Sequence, residues 1–186
     1  VQKIHPYPHD NQWRQNLVNA AVYMFNKNAL QGIDFVSDRP DIAKELFPLM
    51  LESEKKLYGY ISTEYIKDMG TPERLSKVEK DINSGKVKSL KKQTPKMAIF
   101  LDRDGTINQE VNHLSNQDQF ELLDGVGEAI CQINAAGILA VVVTNQPVIA
   151  RGELKESELQ VIHNKMDTLL GGQGAYIDRL YYCPHH

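Results

Sequence analysis

The chain has no long apolar run and little cysteine, and each of these absences narrows what it can be. No apolar run approaches the roughly 20 residues that a membrane-spanning helix requires. The two cysteines, Cys131 and Cys183, are too few for a disulfide framework and favour a reducing cytoplasm. No basic-then-apolar leader opens the chain, so a secretory signal is not expected.

The chain also has no large excess of either sign of charge: 21 Lys and Arg against 24 Asp and Glu give a net charge of −3. This value does not imply nucleic-acid binding. Residues 1–96 carry 16 Lys and Arg against 12 Asp and Glu, whereas residues 97–186 carry 5 against 12. Five lysines crowd residues 85–96, which is typical of a solvated linker between two modules. A phosphate- or nucleic-acid-binding patch is the alternative, but no aromatic residue interleaves with these lysines.

The 186 residues allow one domain or two small ones. In the first half, apolar patterns predict strands at 17–25 and 56–62, with a turn and short helix at 26–33 between them. A helix is expected at 38–47, ended or kinked by Pro48. Thr71 as cap and Pro72 at the first position predict a helix to about Ser84. Its inward residues are predicted to be Leu75, Val78 and Ile82.

Strand and helix patterns alternate more clearly in the second half. Strands are expected at 98–101, 138–143 and 176–182, and helices at 125–136 and 157–170. This alternation predicts an α/β fold with a parallel, doubly wound sheet. The β-branched run at 138–143 favours a strand buried on both faces of the sheet.

Polar clusters follow each of the three predicted strands. Asp102, Asp104, Gly105 and Thr106 follow the first, Thr144, Asn145 and Gln146 the second, and Cys183, Pro184, His185 and His186 the third. Ligands of open α/β sheets bind at the carboxyl ends of the strands. Because buried carboxylates require a compensating cation or hydrogen bonds, the first cluster predicts a site, and a metal site in particular.

The stretch Asp102-Arg-Asp-Gly-Thr and Thr144 resemble the first two motifs of the haloacid dehalogenase superfamily. With residues 141–152 and 181–186, the chain looks like the heptose bisphosphate phosphatases and their histidinol-phosphate relatives. The resemblance covers residues 97–186 and implies a parallel, Rossmann-like haloacid dehalogenase core, incomplete at its C-terminus. The spacing from the first motif to the second leaves no room for a separate cap domain.

The resemblance implies a role for each matching residue. Asp102 would be the nucleophile that forms an aspartyl-phosphate, and Asp104 the general acid and base. Mg²⁺ would bind the Asp102 carboxylate and the Asp104 main-chain carbonyl. The residues implied to contact the phosphate or substrate are Thr106, Thr144, Asn145, Gln146 and Arg151. A surface salt bridge is the alternative interpretation of Arg151.

A structural zinc site is implied only in part. Cys183 and His185 match the first half of the zinc loop of those phosphatases. A structural zinc ion normally takes four ligands, and the only other cysteine, Cys131, is predicted to lie in the core. The chain therefore supplies half a site, with His186 as a weak further ligand.

The family's third and fourth motifs, a lysine and further acids, have no match before His186. We therefore expect the chain to be a fragment of a longer protein and, by itself, a poor or inactive phosphatase.

Part of the first half resembles the carboxyl-terminal part of sugar-1-phosphate nucleotidyltransferases. The pattern Asp68-Met-Gly-Thr-Pro-Glu and residues 16–25 carry this resemblance. It implies a metal-binding role for Asp68 and a sugar contact for Asn19. A loop acid before a helix cap is the alternative for Asp68.

Together these features predict a partial α/β nucleotidyltransferase segment at 1–84, a Lys-rich linker at 85–96 and a phosphatase domain at 97–186. The expected function is Mg²⁺-dependent hydrolysis of a sugar bisphosphate, D-glycero-D-manno-heptose 1,7-bisphosphate, in nucleotide-activated heptose biosynthesis. Alternatives are nucleotidyl transfer, histidinol-phosphate hydrolysis and an inactive interaction fragment. The expected partners are the sugar phosphate and the remainder of the same polypeptide, with neither nucleic acid nor membrane.

Overall fold

A computed structural model describes residues 1, 4, 12–35 and 37–185. The chain forms two compact units, which are described separately. One comprises Val1–Gln12 and Asn19–Ser62, and the other Trp13–Val18 and Thr63–His186. The predicted division at 84 and 97 stays a prediction. The second unit contains residues from both predicted domains.

The described residues of the first unit include one continuous helical segment. A π-helical turn, Ile42–Leu46, leads directly into helix α1, Phe47–Glu52. The Asp41 carboxylate caps it by accepting two backbone N–H groups at 2.8 Å. The predicted end at Pro48 is wrong, because the helical segment continues through this proline to Glu52. The change from π-helical to α-helical structure falls at Phe47, directly before the proline, whose missing N–H group cannot continue the bonding pattern.

The strands predicted at 17–25 and 56–62 are wrong. The described residues of both segments lie outside any helix or strand. Val18 is 91% and Met24 98% exposed, so these apolar side chains face no sheet. A strand requires a hydrogen-bonded neighbour, which local sequence pattern cannot supply. Residues 27–32 form turns, which confirms the turn but not the short helix.

Helix α2, Pro72–Asn83, confirms its predicted start. The Thr71 hydroxyl oxygen accepts the Arg74 N–H at 3.3 Å. Val78 is buried as predicted, whereas Leu75 and Ile82 are exposed, so the inward face is narrower than predicted. A short helix, α3, Lys86–Ser89, lies within the predicted linker.

The remaining strands and α-helices are β1 (Ala98–Leu101), α4 (Val126–Ala135), β2 (Leu139–Asn145), α5 (Glu156–Gly172) and β3 (Arg179–Cys183). A 3-10 turn, Gln117–Gln119, lies between β1 and α4. The predicted order and parallel pairing are confirmed, with β2 in the centre and Leu101 beside Val142. β2 extends two residues further than predicted, and β3 begins three residues later than predicted.

The helices cover one face of the sheet. Ile130 of α4 and Leu159, Ile162 and Met166 of α5 form one core with Val142. The opposite face is largely exposed among the described residues: Phe100 is 70%, Val143 48% and Tyr181 58% exposed, although Val141 on the same face is buried.

The prediction of a doubly wound sheet buried on both faces is therefore wrong for the described residues. Right-handed crossovers that step in one direction, from β1 to β2 to β3, place successive helices on the same face. Only a reversal of strand order places helices on both faces.

Candidate functional site

The chain turns sharply immediately after β1. The Arg103 carbonyl accepts the N–H groups of Thr106, Ile107 and Asn108 at 2.8–3.3 Å. Gly105 has φ 72°, a conformation that suits glycine. This compact loop places the side chains of residues 102–104 at the carboxyl end of the sheet.

Asp104 is the centre of the hydrogen-bond network at this edge. Its half-buried carboxylate accepts N–H groups from Arg103 Nη2 at 2.8 and 2.9 Å and from Asn108 Nδ2 at 3.0 Å. Gln146 Nε2 donates to the same carboxylate at 2.8 Å and lies 3.0 Å from Thr144 Oγ1. The fold therefore brings together three predicted residues from two clusters: Asp104 from the first, and Thr144 and Gln146 from the second.

Arg103 is a site residue that sequence reasoning missed. Its side chain is 0% exposed, and Nη2 also donates to Gln146 Oε1 at 2.9 Å. A buried charge is tolerated only when it is paired and hydrogen-bonded, and Asp104 supplies that pairing. The sequence did contain one signal for this role, a basic residue placed between two acids at the end of a predicted strand.

Two further residues of this network were also missed. Asn108 is fully buried, and its amide group donates to Asp104 and to the Gln109 carbonyl. His163 reaches the network from α5, with Nε2 3.3 Å from Arg103 Nη1. Burial, followed by the Arg103 charge, lowers the pKa of His163 to about 3. A lone histidine on a helix gave no sequence signal of this contact.

Asp102 is exposed, unlike its neighbour Arg103. Its Oδ1 accepts the Arg103 backbone N–H at 2.6 Å, which fixes the direction of the carboxylate. A solvent-accessible carboxylate at a strand end is suited to attack an electrophile or to bind a cation. Asn145 lies at the end of β2, beside Cys183, and is also exposed.

Other predicted residues lie apart from the Asp104 network. Arg151 Nη1 is 3.0 Å from His113 Nε2, and His113 Nδ1 is 2.7 Å from Glu153 Oε2. Thr106 lines an apolar cleft with Leu123.

The predicted zinc ligands are exposed at the end of β3. The Cys183 carbonyl accepts the Gln146 N–H at 2.8 Å, which ties the end of β3 to the loop after β2. Both cysteines are free thiols. Within residues 1, 4, 12–35 and 37–185, no group of three or more His, Cys, Asp or Glu could hold a metal ion. His186 lies outside the described residues.

Asp68 lies in the loop before α2. Its carboxylate accepts the Gly70 N–H at 2.8 Å and pairs with the Arg74 guanidinium. This geometry is that of a loop acid preceding a helix cap, the alternative given above for Asp68.

Among the described residues, no helix has the length and apolar character needed to cross a membrane.

No protein-family profile matches the chain. The D-glycero-beta-D-manno-heptose-1,7-bisphosphate 7-phosphatase of Pasteurella multocida is 47% identical over 91 residues, which are 49% of this chain and 50% of that protein. The phosphatase of the same name from Escherichia coli K12 is 45% identical over 89 residues, 48% of this chain and 47% of that protein. The chain thus spans about half the length of these curated relatives.

Solved structures show a corresponding partial likeness. The D,D-heptose 1,7-bisphosphate phosphatase of B. bronchiseptica, complexed with magnesium and phosphate, gives a TM-score of 0.47 at 35% identity, over 48% of this chain and 51% of that chain. That of Burkholderia thailandensis gives 0.40 at 35% identity, over 47% and 52%. The sequence identities over 89–91 residues, and not these structural scores, show that about half of this chain is homologous to heptose bisphosphate phosphatases. The nucleotidyltransferase resemblance stays a prediction.

Proposed function

We propose that residues 97–186 belong to a Mg²⁺-dependent phosphatase that acts on D-glycero-β-D-manno-heptose 1,7-bisphosphate. One observation carries this proposal: Gln146 Nε2 is hydrogen-bonded to Thr144 Oγ1 and to the carboxylate of Asp104, which lies two residues along the chain from the exposed Asp102. The substrate follows from the names of relatives that are 45–47% identical over about half of the chain.

In the first step, a carboxylate oxygen of Asp102 attacks the phosphorus atom. The phosphorus–oxygen bond to the sugar breaks, and Asp104, as the acid, gives its proton to the leaving sugar oxygen. In the second step, Asp104 takes a proton from water as that water attacks the phosphorus. The bond to Asp102 breaks, which restores its carboxylate and releases inorganic phosphate.

The hydrogen bonds to Asp104 support this assignment because they orient its carboxylate from two strand ends. Gln146 holds it from the β2 side and Arg103 from the β1 side. Thr144 and Asn145 end β2 at the same edge of the sheet. We assign Thr106, Thr144, Asn145, Gln146 and Arg151 to phosphate or substrate contact.

The donors near Asp102 fit magnesium. Mg²⁺ prefers oxygen ligands, and it commonly binds through one or two carboxylates together with water and substrate phosphate oxygens. The exposed Asp102 carboxylate and the Asp104 main-chain carbonyl are the oxygen donors that would hold it. When bound, the ion would reduce repulsion between the Asp102 carboxylate and the anionic phosphate.

We propose Cys183 and His185 as half of a structural zinc site, completed by ligands outside the described residues. Residues 1–84 are proposed as the carboxyl-terminal part of a sugar-1-phosphate nucleotidyltransferase, with Asp68 as its metal ligand. The whole protein would then be bifunctional, and this chain would be joined to the remainder of the same polypeptide. The free thiols of Cys131 and Cys183 support a cytoplasmic location.

Phosphate release tests the central proposal. The 186-residue chain, and the longer polypeptide that the sequence predicts, are incubated with Mg²⁺ and the heptose bisphosphate, with histidinol phosphate as the comparison substrate. Asp102→Asn should lower turnover by at least about 10³-fold, because the nucleophile is lost. The control Asp118→Asn changes an exposed acid in the loop before α4. Equal turnover by Asp102→Asn and wild type in the longer polypeptide would contradict the proposal.

A further inference from the structure

His163 is a polar residue on the buried side of α5. The same side of the helix carries Leu159, Ile162 and Met166, all of which lie in the core. His163 is 4% exposed, so its imidazole is also removed from water. A buried imidazole without a hydrogen bond destabilises the fold, and a partner is therefore required.

Its partner is the Arg103 guanidinium, 3.3 Å from Nη1 to Nε2. An arginine is always protonated and only donates, so Nε2 must be the acceptor and the ring proton must lie on Nδ1. The Tyr182 ring of β3, 5.8 Å away between ring centroids, contacts the imidazole. The histidine is neutral, because burial and the Arg103 charge lower its pKa to about 3.

This contact adds a third direction of restraint to Arg103. The Arg103 Nε and Nη2 atoms already donate hydrogen bonds to the Asp104 carboxylate, and Nη2 also donates to Gln146 Oε1. With Nη1 held by His163, the plane of the guanidinium is fixed from β1, β2 and α5. The orientation of Asp104 therefore depends on α5, although no residue of α5 was predicted to belong to the site.

We propose that His163 is a positioning residue for phosphoryl transfer, which holds Arg103 in the plane that aligns the Asp104 carboxylate. This inference rests on the proposed function, because it assumes that Asp104 transfers the proton. His163 contacts neither substrate nor metal in this scheme. Loss of its acceptor would leave an Arg103 N–H unsatisfied in the interior and allow the guanidinium to rotate away from Asp104.

The test compares three variants with the wild type. His163→Leu removes the acceptor at similar volume, and His163→Gln restores an acceptor oxygen. Met166→Ala is the matched control, because it perturbs the same buried side of α5 without changing the contact with Arg103.

We expect His163→Leu to lower kcat about 10- to 100-fold with little change in KM, because proton transfer and not substrate binding is misaligned. His163→Gln should stay within about threefold of wild type, since its amide oxygen accepts the same N–H. Met166→Ala should lower the unfolding midpoint but leave kcat near the wild-type value. Unchanged kcat in His163→Leu, or equal losses in all three variants, would overturn the positioning role.

Nitrogen NMR of the imidazole gives a readout that needs no turnover. The wild-type spectrum should show His163 as the neutral tautomer with its proton on Nδ1, and an Nε2-protonated ring would overturn the inference. The activity measurements use the longer polypeptide that the sequence predicts. If its wild type releases no phosphate, the proposed function fails and the positioning role fails with it. Turnover in the wild type that His163→Leu leaves unchanged contradicts only the positioning role.

Discussion

The side-chain amide of Gln146 donates to the carboxylate of Asp104 at 2.8 Å, and this bond joins the loop after β2 to the loop after β1. The same amide lies 3.0 Å from Thr144 Oγ1, and the Gln146 oxygen accepts from Arg103. Gln146 is buried, so its hydrogen bonds are not replaced by water when they are lost. The site is consequently part of the folded core of this unit.

Gln146→Leu should destabilise the unit by about 1–3 kcal/mol, because Asp104 and Arg103 would each lose a buried partner. Trp13 is the only tryptophan and lies in the same unit, so its fluorescence during urea unfolding measures the free energy of unfolding. Gln160→Leu, an exposed change on α5, is the control and should have little effect. Equal stability of Gln146→Leu and wild type would show that the network contributes nothing to folding.

Gly105→Ala should destabilise the unit through the backbone. Gly105 has φ 72°, where a Cβ atom is unfavourable by roughly 1–2 kcal/mol. The added Cβ would lie 3.4 Å from a Glu110 carboxylate oxygen, an ordinary contact, so strain and not collision causes the loss.

Gly172→Ala is the matched control for this change. Gly172 ends α5 at a negative φ, and no atom lies within 4 Å of a Cβ added there. This variant should be as stable as the wild type or slightly more stable. Similar losses of stability in the two alanine variants would contradict the strain argument.

The free energy of unfolding should fall as the pH rises from about 4 to about 6, because of the Asp167 carboxyl group. Burial raises the pKa of Asp167 to about 6, although a hydrogen bond from the Asn16 backbone opposes the shift. In this interval the folded protein keeps the proton while the unfolded chain loses it, so deprotonation favours unfolding.

Asp167→Asn should remove this pH dependence and stabilise the unit by roughly 2 kcal/mol at pH 7, with little effect at pH 3. Urea unfolding at a series of pH values measures the difference, and Asp118→Asn is the exposed control. A wild-type stability that rises from pH 4 to pH 6 more steeply than that of Asp167→Asn would show that this carboxyl is not destabilised by burial.

Local sequence signals predicted the parts of the fold that depend on near neighbours. Thr71 and Pro72 marked the start of α2, because a cap and a first-turn proline act within one helical turn. The order β1, α4, β2, α5, β3 followed from apolar periodicity and was confirmed. Apolar patterns also indicated strands at 17–25 and 56–62, but a strand forms only with a partner, and pairing is not a local property.

The sequence by itself determined which polar residues end the strands, since Asp102 and Thr144 directly follow apolar runs and Asp104 comes two residues after Asp102. Only the tertiary structure decided that Arg103 is buried against Asp104. It likewise decided that His163, 60 residues away along the chain, contacts Arg103 Nη1. It also decided that both helices cover one face of the sheet. Burial and long-range hydrogen bonding depend on how distant segments pack, and neither composition nor spacing along one chain contains that geometry.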